Sequence, residues 1–119
     1  MARVLLVDDD PDQIEVRRML FGHAGHEVHT AADPATALEV FGSVEPQLVV
    51  TDLRLPKTED GLALLRALRE RDPAVWIVVL SGWPSDLDRL PEAGLADAIL
   101  AKPARTDSLL ALAAKLTAR

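Results

Sequence analysis

Five short apolar runs recur along this chain, and they constrain its fold more than any other feature. They are Val4-Leu5-Leu6-Val7, the weaker Glu27-Val28-His29-Thr30, Leu48-Val49-Val50, Val75 to Leu80, and Ala98-Ile99-Leu100. Four are continuous or nearly so, the pattern of parallel strands buried on both faces. The second alternates with polar residues and suits an edge strand.

Helical spacing fills the intervals. Asp10-Pro11 pairs a capping residue with proline at the first helical position, and Val16, Leu20 and Ala24 follow as an expected apolar stripe. Gly25 is placed to end that helix. Asp33-Pro34 repeats the start signal ahead of Ala37, Val40 and Phe41. Asp60-Gly61 opens a third helix carrying Leu62, Leu65 and Leu68, and Pro73 closes it. A fourth helix, from about Ser85, is expected short or kinked because Pro91 interrupts it. The last carries Leu109, Leu112, Ala113 and Leu116 on one face. Strands alternating with helices imply right-handed crossovers and a doubly wound α/β sheet of (βα)5 type. At 119 residues the chain suits one domain, 1–119.

Composition removes several functions. With no cysteine there is no disulfide, iron–sulfur cluster or thiol catalysis. The longest apolar run, Ala74 to Leu80, is far shorter than the roughly 20 residues a membrane helix needs. A net charge of -6, with two tryptophans, two phenylalanines and no tyrosine, argues against direct nucleic-acid binding. Neither a membrane partner nor a signal peptide is expected, and the expected location is the cytoplasm.

In open α/β sheets, ligands bind beyond the carboxyl ends of the strands. The first run is followed by Asp8 and Asp9, the third by Thr51 and Asp52, the fourth by Ser81 and the fifth by Lys102. Three carboxylates on one rim repel one another, which raises at least one pKa. A hard divalent cation relieves that repulsion, and oxygen-only donors point to magnesium or manganese. With an ammonium and a hydroxyl beside them, such a rim can bind a phosphoryl group and offer a carboxylate as nucleophile. Each piece alone has an ordinary explanation as a cap, a turn or a strand end; their joint placement does not. Trp76, Phe21 and Phe41 are read as packing, and His23, His26 and His29 as surface or loop residues.

In order along the chain, Val4 to Pro11, Val49 to Pro56, Asp60-Gly61, Leu80-Ser81-Gly82 and Lys102-Pro103 resemble the motifs of the receiver domain of bacterial two-component response regulators. The resemblance covers the full length. It implies a flavodoxin-like five-stranded sheet of order 2-1-3-4-5. It also implies a signalling switch that catalyses only its own phosphorylation and dephosphorylation. By this resemblance Asp52 is the phosphoacceptor, supplied by a sensor histidine kinase or phosphotransfer protein. Asp9 ligates Mg2+ directly, Asp8 acts in the same pocket through water, and the Arg54 backbone carbonyl completes the protein ligands. Ser81 is the switch hydroxyl, Lys102 its ion-pair partner, and Lys102–Pro103 a cis bond. The changed surface, the fourth helix through the fifth, would meet an output protein or effector domain.

The chain departs from the family pattern at four points. Lys57-Thr58-Glu59 puts three residues, not two, before Asp60-Gly61. Ser81 replaces the commoner threonine, Ile99 replaces the switch aromatic, and Ala104 follows Lys102-Pro103 where a larger apolar residue is usual. Trp83 is an alternative signalling group or a cover for the site. Bulky Arg54 and Trp83, each two residues after a key position, are expected to shield the phosphoryl group from water. Two other readings stand beside the main one. One is a receiver-like module that works without phosphorylation. The other is a phosphatase of the haloacid-dehalogenase type, with Asp8 as nucleophile and Asp10 as acid/base.

Overall fold

The computed structural model describes residues 2–82, 90–102 and 105–118. Five parallel strands, β1 (Arg3–Val7), β2 (Glu27–Ala31), β3 (Leu48–Asp52), β4 (Trp76–Ser81) and β5 (Ala98–Ala101), form one sheet of order β2-β1-β3-β4-β5. The expected fold class and strand order are both present. Among the described residues the α-helices are α1 (Pro11–His23), α2 (Pro34–Val44), α3 (Thr58–Arg71) and α4 (Thr106–Thr117). No helix among them is long and apolar enough to cross a membrane.

Strand side chains alternate between two cores, as the pleat requires. Leu5, Val7, Val49, Ile77 and Val79 pack under α2 and α3 with Phe41, Leu64, Leu65 and Leu68. Val4, Leu6, Leu48, Val50, Val78 and Leu80 pack on the opposite face with Phe21, Leu109, Ala113 and Leu116 from α1 and α4. Trp76 is half-buried against this second core and Ile99 against the first. β5 is the second edge of the sheet, so Ala98, Ile99 and Leu100 are half-buried rather than enclosed and Ala101 is exposed.

The capping signals act as read. Asp10 accepts from the Asp12 and Gln13 amides, and Asp33 accepts from Thr36 at 2.8 Å. Gly25 follows α1 with φ +94, a left-handed turn that suits glycine. α1 corrects the expected stripe: Val16 and Leu20 are 53% and 38% exposed, and Ala24 is exposed as well. The inward face is Ile14, Arg17 and Phe21, at i, i+3 and i+7. Phe21 anchors the helix in the core, and Arg17 occupies a core position that apolar counting passes over.

The start of the fourth helix, expected from about Ser85, lies outside the described residues. Beyond it, Pro91–Leu95 is a 3-10 helix, with proline at its start and no fully buried residue. Arg69 of α3 ties it down, donating to the Leu95 carbonyl, to the Pro73 and Val75 carbonyls and to Asp97. Trp83, Ala104 and the Lys102–Pro103 bond lie outside the described residues.

Candidate functional site

Sheet register assembles the site. Val7 of β1 pairs with Thr51 of β3, so the next residues, Asp8 and Asp52, emerge side by side. Asp52 pairs with Leu80 of β4, and Ser81 pairs with Ala101 of β5 just before Lys102. The Lys102 amide donates to the Ser81 carbonyl at 2.8 Å, which fixes the start of the lysine's loop. Asp8, Asp9 and Asp52 each offer a carboxylate oxygen, and these three atoms lie within 4.8 Å of one another. Three of the expected residues therefore converge as a cation-sized cluster.

Asp52 is buried, with 3% of its surface exposed. The Lys102 ammonium stands 2.5 Å from its Oδ1 as an ion pair. Burial first, and then the neighbouring Asp8 carboxylate, push the Asp52 pKa up to about 6, while Lys102 pulls it down. A buried carboxylate clustered with two more, only partly neutralised by one ammonium, suits a hard divalent cation bound through oxygen. Magnesium fits this donor set.

Asp8 is tied more tightly than its sequence position suggests. Its Oδ1 accepts from the Asp10 amide at 2.9 Å, and its Oδ2 takes the Arg17 guanidinium at 2.7 Å. Arg17 is itself only 8% exposed. Sequence reading missed this arginine; the one available signal was a charge at i+3 from Ile14 and four residues before Phe21. Asp9 is exposed at the mouth of the cluster. Ser81 is buried at the end of β4, and Arg54 is exposed in the loop after β3.

That loop is built around Gly61. A β-carbon there would lie 1.7 Å from the Leu53 carbonyl oxygen, so only glycine lets α3 close on the segment carrying Asp52. Lys57-Thr58-Glu59 leads directly into the helix start. Lys57 caps α3, its amide donates to Asp60 Oδ2 at 3.1 Å, and Thr58 and Glu59 form the first turn.

A family model described as the response regulator receiver domain matches residues 4–114. The chain belongs to this family. It is 37% identical over 112 residues to the transcriptional regulatory protein TrcR of Mycobacterium tuberculosis, covering 92% of this chain and 42% of that protein. It is 41% identical over 103 residues to PrrA of Mycobacterium leprae, covering 85% of this chain and 43% of that protein. The chain thus spans less than half the length of these curated relatives. Among solved structures it resembles the response regulator TrrA of Thermotoga maritima, crystallised in complex with Mg(2+)-BeF. The TM-score is 0.86 at 28% identity, over 98% of this chain and 99% of that one. The receiver domain of the Francisella response regulator 1452 matches with TM-score 0.89 at 26% identity, over 100% of this chain and 98% of that one.

As a receiver domain of two-component response regulators, the chain is a signalling switch. The dehalogenase-type reading loses its chemistry here. Asp8 is buried with both oxygens engaged, and Asp10 caps α1 through its Oδ1.

Proposed function

We propose that Asp52 accepts a phosphoryl group from the phosphohistidine of a sensor histidine kinase or of a phosphotransfer protein. The observation that carries this reading is the buried Asp52 carboxylate. It has an ammonium 2.5 Å from one oxygen and two further carboxylates within cation-sharing distance. In the step, an Asp52 oxygen attacks phosphorus, the phosphorus–nitrogen bond to imidazole breaks, and the released imidazole takes up a proton. With a pKa of about 6, Asp52 is ionised at neutral pH and keeps the lone pair the attack needs. Lys102 then pairs with the phosphoryl oxygens, and Ser81 turns its hydroxyl toward them. That rearrangement biases an equilibrium between two conformations, which is the switch.

Asp9, Asp52 and the Arg54 backbone carbonyl would hold Mg2+, with Asp8 acting through water; Mn2+ can take the same oxygen donors. When bound, the ion neutralises carboxylate and phosphoryl oxygens around the transferred group. The chain acts on its own phosphoryl group and turns over no separate substrate. We take residues 1–119 as one receiver domain acting in the cytoplasm, whose output is a contact with an effector domain or partner protein. An acidic domain with pI 4.9 leaves any nucleic-acid contact to that output part. No membrane partner enters this reading.

Intact mass after incubation with acetyl phosphate and magnesium tests the proposal. One added phosphoryl group, absent without metal and absent in Asp52→Asn, is the expected result. An unmodified parent, with a cognate kinase also failing to label it, favours the phosphorylation-independent module.

A further inference from the structure

We propose that Arg17 competes with the divalent cation for Asp8 and so sets how tightly this receiver domain binds metal. The inference rests on the metal site proposed above. Arg17 and Asp8 are both more than nine-tenths buried, and the guanidinium nitrogen lies 2.7 Å from Asp8 Oδ2. The other oxygen is committed to the Asp10 amide. Asp8 therefore meets an incoming ion with neither oxygen unoccupied and with a fixed positive charge behind it.

The charge balance of the pocket makes the same point. Asp8, Asp9 and Asp52 bring three negative charges; Lys102 contacts Asp52 and Arg17 contacts Asp8, which offsets two of them. Arg17 cannot swing away at little cost. Its side chain fills a core-facing position of α1 between Ile14 and Phe21, so leaving would open a void beneath the helix. A guanidinium also stays charged at every working pH, so the competition persists. In this protein, the metal site would fill only at magnesium concentrations above those that saturate a pocket lacking such an arginine.

Calorimetric titration of Mg2+ into the parent, Arg17→Met and Arg17→Lys tests this. Methionine keeps the apolar stem without the charge, and lysine keeps the charge. Arg17→Met is expected to bind magnesium about tenfold more tightly or better, the scale for removing one unit charge from beside a divalent site. Arg17→Lys is expected to stay near the parent. An Arg17→Met protein that binds no tighter, or more weakly, overturns the inference and leaves the metal site standing, with Arg17 only orienting Asp8. No binding by any of the three overturns both. The parent gives a second readout that needs no variant, the Arg17 Nε–H resonance followed during magnesium addition. A shift with faster solvent exchange, as the ion pair loosens, supports competition; an unchanged resonance at saturating metal refutes it.

Discussion

Gly61 stands so close to Leu53 that the helix α3 and the loop leaving Asp52 share one volume: a β-carbon on Gly61 would lie 1.7 Å from the Leu53 carbonyl oxygen and 2.5 Å from its carbon. Backbone cannot move aside as a flexible side chain can. Gly61→Ala is therefore expected to cost about 2 kcal/mol or more in stability, in the range of overpacked core sites. It should also weaken magnesium binding, because the displaced segment carries Asp52 and Arg54. Urea denaturation with a magnesium titration checks both. A variant with the parent's midpoint and metal affinity would contradict the packing described.

Asp52 gives a pH dependence whose sign follows from burial. Its pKa rises from the ordinary carboxylate value to about 6 on folding. Between roughly pH 4 and 6 the folded state holds a proton that the unfolded state has released. Metal-free stability should therefore fall as pH rises through that window, and the full penalty remains above pH 6. That rise corresponds to on the order of 3 kcal/mol. Asp52→Asn removes the penalty, so it should be more stable than the parent by up to that amount at pH 7.5 and nearly equal to it near pH 4. Paired denaturation curves at the two pH values measure this; an equal gap at both would refute the assignment.

The register of α1 predicts a contrast between adjacent residues. Leu20 faces solvent and Phe21 is fully buried. Leu20→Ser should change stability by less than about 1 kcal/mol, whereas Phe21→Ala should cost about 3–5 kcal/mol. Thermal unfolding of the pair decides between this face and the one the Val16-Leu20-Ala24 spacing suggests.

Arg54 is exposed in the loop that follows Asp52. If its bulk shields the phosphoryl group from water, Arg54→Ala should lose an added phosphoryl group severalfold faster than the parent. Intact-mass decay after removal of the donor measures the rate, and an unchanged half-life would rule that shielding out.

Much of this was legible in the chain because its apolar runs stop at chemically distinct residues. Asp8, Asp52, Ser81 and Lys102 each stand at a strand end, and parallel register brings strand ends to one rim. Asp10 and Asp33 were legible as caps because the proline after each is a local signal. What failed was long-range or disguised. α1 misled because it exposes Val16, Met19 and Leu20 and buries an arginine, the reverse of what apolar counting assumes. The Arg17 role depends on a partner nine residues earlier across a strand-to-helix turn, which no helical period displays. Pro91, a strong local signal, begins a 3-10 turn held by Arg69, while the start of the fourth helix, from about Ser85, lies outside the described residues.

The most direct test of the central claim is to locate the phosphoryl group. After phosphorylation with acetyl phosphate and magnesium, borohydride reduction converts an aspartyl phosphate into homoserine, which peptide mass mapping can place. Homoserine at position 52, and at neither position 8 nor position 9, is the predicted result. Homoserine at Asp8 or Asp9 in place of Asp52 would contradict the account.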